Sequence, residues 1–116
     1  MNRKTIYIAG PIRGMEDSNS AAFDAAHKLL EKQGWHVVDP FDITDVFGVP
    51  ADVQSNPRLL RAVMDAELAM IPRLDAIYLL RGWERSEGAK KELEVALEYG
   101  LIVMVEGNEN GAEVAQ

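Results

Sequence analysis

The chain has 116 residues, of which 47% are hydrophobic and 27% are charged, so it is long enough for one globular domain and too short for two. Its formal net charge of −7 argues against a surface that wraps a nucleic acid polymer, and the absence of cysteine excludes disulfides and thiolate metal sites. No long apolar stretch resembles a signal peptide or a membrane helix, so we expect a cytoplasmic protein with no membrane partner.

The first half of the chain predicts a strand, a helix and a second strand. Residues 5–9 are mostly β-branched or aromatic and are followed by Gly-Pro, which indicates a buried strand that leads into a loop. Beyond the N-capping residues 17–20, apolar side chains recur at helical spacing until Gly34. Residues 35–38 give a short second strand, and a polar loop follows to about residue 55.

The middle of the chain predicts a second helix and a third strand. Asn56 and Pro57 are an N-cap followed by proline at the first helical position, and Pro72 ends the helical pattern. Residues 76–80 form the most apolar strand of the chain. A loop from Arg81 to Gly88 is predicted to follow it.

The last elements are a helix, a strand and a tail. The third helix is predicted at about 89–99, with Gly100 just beyond its end. Its side chains expected to face inward are Leu93, Ala96 and Leu97. Residues 101–105 give the fourth strand, and residues 106–116 are expected to form a flexible tail because they are rich in Gly, Asn and Glu.

This alternation predicts one α/β domain over residues 1–105. Strands that are apolar on both faces require a parallel sheet covered by helices on each face, which is the doubly wound arrangement of flavodoxin-like and Rossmann-like folds. Right-handed crossovers favour the strand order 2-1-3-4. Ligands of such sheets bind at the carboxyl ends of the strands where the order reverses, so the loops 10–14 and 81–88 are expected to meet at a pocket.

Both loops contain residues suited to an anion. The first has Gly10 and Gly14, where backbone can approach a ligand closely, and Arg13, which suits a phosphate or carboxylate. Taken alone, those residues are better explained by a tight turn with a solvated arginine. The second loop opens a helix, and Ser86 and Gly88 stand at the helix N-terminus, where free N–H groups can receive an anion.

Two acidic residues are candidates for catalysis. Glu92 lies at the border of the buried face of the third helix, and Glu67 shares the apolar face of the second helix. Either could also be an ordinary solvated helix acid. Two carboxylates beside one pocket are the arrangement that glycosidic cleavage uses. His27 and His36 are the only histidines and are nine residues apart in apolar surroundings, so we predict no metal site.

Two motifs resemble the nucleoside 2-deoxyribosyltransferase superfamily, and the resemblance extends from Tyr7 to about Val105. The segment Tyr7 to Gly14, YIAGPIRG, is similar to the phosphate-binding Y-x-x-G-S-I-R-G of the related deoxynucleoside 5′-monophosphate N-glycosidases. Pro11 stands where that motif has serine. The segment Ser86 to Glu92, SEGAKKE, is similar to the S-x-G-x-x-x-E motif of the superfamily.

The resemblance implies roles for individual residues. Glu92 matches the nucleophile, Ser86 matches the serine that contacts the 5′-phosphate, and Tyr7 would lie beside the sugar. Glu67 occupies the position of an aspartate that helps the base to depart or orients the sugar. The loop with Gly10, Pro11, Ile12, Arg13 and Gly14, together with Ser86 and Gly88, would hold the phosphate. No cofactor is implied.

The implied activity is cleavage of the N-glycosidic bond of a nucleoside or nucleoside 5′-monophosphate, with hydrolysis favoured over transfer to a second base. The resemblance also implies a homodimer or larger homo-oligomer, in which Asn108 or Asn110 of a neighbouring copy could complete the pocket. Two other classes of function stay open. They are a non-catalytic module that binds or sequesters a nucleotide, and a structural or interaction protein with a relict pocket.

Overall fold

The computed structural model describes residues 4–42 and 56–107, which form a doubly wound α/β domain. A single four-stranded parallel sheet has the order β2-β1-β3-β4. This confirms the predicted fold class and strand order. The strands are β1 (Thr5–Ala9), β2 (His36–Val38), β3 (Ala76–Leu79) and β4 (Ile102–Val105), and the helices are α1 (Ser20–Lys32), α2 (Pro57–Met70) and α3 (Glu87–Glu98).

Strand β1 lies at the centre of the sheet and determines which side chains reach each face. It pairs with β2 through Ile6 and Val37 and with β3 through Tyr7 and Ile77. Because successive strand residues point to opposite faces, Tyr7 joins the core cluster that includes residues of α2 and α3. Its neighbour Ile6 joins the cluster on the other face, which includes residues of α1.

Two helices begin at side chains that the sequence identified. The Asn56 side chain accepts a hydrogen bond from the N–H of Leu59 at 3.1 Å, which confirms the predicted start of α2. The Ser86 hydroxyl accepts from the N–H of Ala89 at 3.1 Å at the start of α3. Helix α2 ends at Met70, two residues before Pro72, because the chain tightens into a 3₁₀ turn over Ile71–Arg73.

One local expectation was wrong, and the predicted start of α1 has an unusual geometry. Leu97 is 40% exposed, because α3 is covered along the narrower stripe that contains Ala89, Glu92 and Ala96. The N-cap position of α1 is also unusual, since Asn19 has a left-handed backbone with φ 62° and its side chain makes no capping bond. That side chain donates instead to the carbonyl of Pro11 at 2.9 Å, and so ties the start of α1 to the loop after β1.

Some expectations concern residues outside the described ranges. The part of the polar loop at residues 43–55 is among them, and so is the tail from residue 108 onward, which includes Asn108 and Asn110. Within residues 4–42 and 56–107, no helix combines the length and apolar character needed to cross a bilayer.

Replacing Gly10 with alanine is expected to lower the free energy of unfolding by about 1–3 kcal/mol, a typical effect of overpacking a core. An added Cβ would lie 2.7 Å from Cβ and 2.8 Å from Cδ1 of Leu80, which is buried and near the backbone. Gly88→Ala is the control, because its added methyl would meet only the flexible end of Met64. Urea denaturation should show a clearly larger loss for Gly10→Ala, and equal losses would contradict the close approach.

Candidate active site

A cavity of about 940 Å³ opens at the carboxyl ends of the strands. Its walls come from the loops that follow β1, β2 and β3, from the first turns of α3 and from one face of α2. This is the position predicted from the reversal of strand order. Of the residues identified from the sequence, the cavity is lined by Gly10, Pro11, Ile12, Arg13, Glu67, Ser86, Gly88 and Glu92.

Three buried polar side chains form a group at the base of the cavity, which we call the carboxylate cluster: Glu67 and Glu92, which line the cavity, and Tyr7, which lies behind them. Their exposed fractions are 4%, 3% and 0%, respectively. The Tyr7 hydroxyl donates a hydrogen bond to Oε2 of Glu92 at 2.8 Å. Glu67 lies beside both of these side chains and interacts electrostatically with them. Strand β1 and helices α2 and α3 therefore each contribute one residue to a single polar site inside an apolar core.

Burial determines how the cluster titrates. It raises the pKa of Glu92 well above the usual value of 4.5, and the charge and hydrogen bond of Glu67 raise it further, while the Tyr7 bond opposes the rise. Burial also raises the pKa of Glu67, although hydrogen bonds with Glu92 and Tyr7 lower it in part. Two touching carboxyls of this kind hold one proton between them over a wide pH range.

Tyr7 remains a hydrogen-bond donor throughout that range. Complete burial raises its pKa well above 10, and the nearby charges of Glu92 and Glu67 raise it further. The cluster therefore contains a protonated phenol and one proton shared by two carboxyls.

The opposite part of the cavity is suited to an anion. Gly88 is in the first turn of α3, and the Ser86 hydroxyl accepts from a helix N–H while its own proton can point to a ligand. Arg13 approaches the same space from the loop after β1. Pro11 has no N–H to offer, and its carbonyl already accepts from Asn19. Gly14 does not line the cavity and occupies a left-handed turn with φ 78°.

Comparison with protein families matches residues 4–105 to a family described as "Domain of unknown function (DUF4406)". This chain belongs to the DUF4406 family. No curated protein matches the sequence. The DUF4406 match spans all four strands and includes the carboxylate cluster, so the cavity lies wholly within the family's own domain.

The wall of the DUF4406 cavity beside β2 is held by a second polar network. Asp39 is 7% exposed, and its Oδ1 accepts from the N–H groups of Phe41 and Asp42 at 3.0 and 3.1 Å. Its Oδ2 lies 3.3 Å from Nδ1 of His27. Partial burial lowers the pKa of His27, but Asp39 and Glu31 outweigh this effect and raise it above 6.5. His27 thus supports the turn that places Phe41 in the wall.

The sequence interpretation missed several lining residues of this DUF4406 domain. They are Asp17, Ser18, Ser20, Pro40, Phe41, Pro57, Leu60, Arg61, Val63, Met64, Arg85, Glu87, Ala89 and Lys91. Pro40 and Phe41 follow β2 directly, so the rule that ligands bind at carboxyl ends of strands could have identified them. Among the residues that the structure describes, no group of three or more histidine or acidic side chains is arranged to hold a metal ion.

Proposed function

We propose that this protein cleaves the N-glycosidic bond of a nucleoside 5′-monophosphate or nucleoside, with Glu92 as the nucleophile. One observation carries the proposal. Glu92 is buried at the floor of an open cavity, contacts a second carboxyl from Glu67 and accepts a hydrogen bond from Tyr7. Burying two acids in contact is costly, and such perturbed pairs are concentrated at functional sites.

Because Glu67 and Glu92 share one proton, the pair provides both the carboxylate and the carboxylic acid that the reaction needs. With that proton on Glu67, Glu92 is a carboxylate that the Tyr7 hydrogen bond stabilises, and Glu67 is a carboxylic acid beside it. The Glu92 carboxylate then forms a bond to C1′ as the C1′–N bond breaks, and Glu67 gives its proton to the departing base. Water next attacks C1′, Glu92 leaves, and Glu67 accepts the proton that the water loses.

The contact between the carboxyls favours a covalent mechanism over a single displacement by water. Enzymes that invert configuration keep their carboxyl groups about 6.5–9.5 Å apart, because a water molecule stands between one of them and the sugar. Glu67 and Glu92 interact directly with each other, so their arrangement is nearer to the separation of about 5–5.5 Å found in enzymes that form a covalent intermediate. The pair is therefore better suited to direct attack by one carboxylate.

The anion-binding part of the cavity supports a phosphorylated substrate. A 5′-phosphate could contact Ser86, Gly88 and Arg13 while the sugar extends to the carboxylate cluster. The resemblance to deoxynucleoside 5′-monophosphate N-glycosidases implies the same roles for these residues. It also implies a homodimer or larger homo-oligomer and no cofactor. The lack of cysteine and of a signal-like apolar stretch favours action in the cytoplasm.

The test is a turnover screen over the 5′-monophosphates of the ribonucleosides and 2′-deoxyribonucleosides, and over the free nucleosides. Chromatography should detect free base from at least one of them with the wild-type protein. Glu92→Gln should release none, whereas Glu94→Gln, on an exposed position of the same helix, should release base at the wild-type rate. Release that survives Glu92→Gln would refute the proposed nucleophile.

A second candidate function is a module that binds a nucleotide without cleaving it. Pro11 favours this alternative, because it removes an N–H from the loop that would hold the phosphate. Calorimetric binding of a nucleotide that is recovered intact after long incubation would support it. Adding a second free base to the cleavage reaction separates hydrolysis from transfer, since transfer yields a new nucleoside or nucleotide and hydrolysis yields the free sugar or sugar phosphate.

A further inference from the structure

Four cationic side chains line the cavity that contains the carboxylate cluster. Arg13 comes from the loop after β1, Arg61 from α2, Arg85 from the turn before α3 and Lys91 from α3 itself. They are a third of the chain's 12 Lys and Arg residues, in a protein whose net charge is −7. A concave surface with this concentration of positive charge attracts anions.

The acidic side chains outside the carboxylate cluster that line the cavity do not cancel this charge. They are Asp17 and Glu87. Oε2 of Glu87 is 2.8 Å from Nζ of Lys90, so a cation that does not line the cavity compensates it. Asp17 accepts a hydrogen bond from the Ser20 hydroxyl at 2.7 Å. Among the described residues that line the cavity outside the carboxylate cluster, four side chains are therefore cationic and two are acidic.

Arg61 and the start of α3 line the cavity from two different helices. Both helices run antiparallel to the strands of one parallel sheet, so they run in the same direction. Glu67 and Glu92 contact each other, so they lie at a similar height along the axes of α2 and α3. Arg61 and Ser86 each precede their glutamate by six residues, about 9 Å along a helix axis.

The side chain of Arg61 contacts Asp65, one turn farther along α2, and is largely exposed to solvent. Helical side chains lean toward the N-terminus of their helix, which at α2 is the direction of solvent. Arg61 is 80% exposed, and its Nε lies 3.4 Å from Oδ1 of Asp65, a surface ion pair that contributes little stability. Its guanidinium can therefore leave Asp65 for a ligand that projects from the mouth, past a phosphate held at Ser86 and Gly88.

We propose that the cavity selects a nucleotide that carries a pyrophosphate, with Arg61 contacting the phosphate farther from the sugar. This inference rests on the proposed function for the position of the sugar. The cavity volume of about 940 Å³ agrees with it. Small-molecule sites span roughly 300–1,000 Å³, so this cavity has room for more than a mononucleotide. A nucleoside diphosphate and a dinucleotide joined through pyrophosphate share the required chemistry.

The test compares dissociation constants by calorimetry at low salt for the 5′-monophosphates and 5′-diphosphates of the four ribonucleosides and four 2′-deoxyribonucleosides, and for NAD as a dinucleotide. The Glu92→Gln background prevents turnover. We expect the best diphosphate, or NAD, to bind about 10-fold more tightly than the best monophosphate, as expected for one additional charge-assisted contact. If NAD binds more tightly than the best diphosphate, the pyrophosphate that the cavity selects belongs to a dinucleotide. Otherwise it belongs to a nucleoside diphosphate.

The variant Arg61→Gln should remove most of that preference and change monophosphate binding less than twofold. Arg58→Gln, at an exposed position of the same helix that does not line the cavity, should leave both affinities unchanged. Equal affinity for monophosphates and diphosphates, or equal weakening of both by Arg61→Gln, would overturn the inference. A wild-type protein that releases no base could still prefer a pyrophosphate through Arg61. That result would support the pyrophosphate inference and refute the glycosidase proposal.

Discussion

Glu92→Gln is expected to abolish base release and also to make the folded protein more stable at pH 8. The loss of activity should exceed about 1,000-fold, as is typical when a nucleophile is removed. The melting temperature should rise by about 4 °C or more, which corresponds to roughly 1 kcal/mol for a domain of this size. The gain is expected because the glutamine amide reproduces both hydrogen bonds of protonated Glu92, to Tyr7 and to Glu67.

The effect on stability should depend on pH in a definite direction. Burial raises the pKa of Glu92 in the folded protein above its value of about 4.5 in the unfolded chain. Between these two values the folded state binds more protons, so the contribution of Glu92 to stability is complete below pH 4.5 and is lost as the pH rises through the folded pKa. Glutamine does not titrate. The variant and the wild type should therefore be similar in stability near pH 4.5 and should diverge toward pH 8.

Thermal unfolding of both proteins from pH 4.5 to 9 measures this divergence. Glu94→Gln is the matched control, since Glu94 is exposed on the same helix and its replacement should leave the pH dependence unchanged. A Glu92→Gln protein that is less stable than the wild type at pH 8 would show that burial of the Glu92 carboxyl does not destabilise the folded protein. An unchanged pH dependence would lead to the same conclusion.

Tyr7→Phe is expected to lower kcat/KM about 10- to 100-fold at pH 6 and to have a smaller effect at pH 8. A hydrogen bond to a charged group contributes about 1.5–3 kcal/mol, and the Tyr7 hydroxyl donates such a bond to Glu92 at 2.8 Å. Burial and Glu67 raise the pKa of Glu92, and the Tyr7 bond is the contribution that lowers it. Without this hydrogen bond the pKa of Glu92 rises further, so a smaller fraction of Glu92 is ionised at low pH.

The diagnostic measurement is the acidic limb of the pH profile of kcat/KM, which should move to higher pH in Tyr7→Phe. A residue that only supports the core would change the rate without moving this limb. Tyr99→Phe is the control, because Tyr99 is 60% exposed at the end of α3. An acidic limb at the wild-type pH would mean that the hydroxyl of Tyr7 does not control the ionisation of Glu92.

Much of the fold could be predicted because its signals are local. Short apolar runs that alternate with amphipathic segments predicted the four strands and three helices, and Asn56 and Ser86 are capping residues that act within three positions along the chain. The error at Leu97 has a simple cause. Helical periodicity identifies an apolar face, but neighbouring elements determine how wide a stripe of that face is covered.

The candidate site was predictable only in part. Topology and glycine-containing loops placed it at the carboxyl ends of the strands, and the apolar face of α2 pointed to Glu67. Arg61 and Lys91 gave no such signal, because an arginine or lysine on a helix is ordinarily a surface residue. The elements that pack beside a helix determine whether its cationic side chains face a cavity. A local sequence pattern does not contain this information.

The sequence by itself determined the order of elements, the parallel sheet and the edge at which a ligand would bind, because periodicity, capping and right-handed crossovers act over short or topologically simple distances. Only the tertiary structure decided that the carboxylate cluster exists. Tyr7 and Glu92 are 85 positions apart, and their 2.8 Å hydrogen bond depends on how β1, α2 and α3 pack together. Desolvation in that shared interior, which no single segment can produce, is what raises the pKa of both carboxyls.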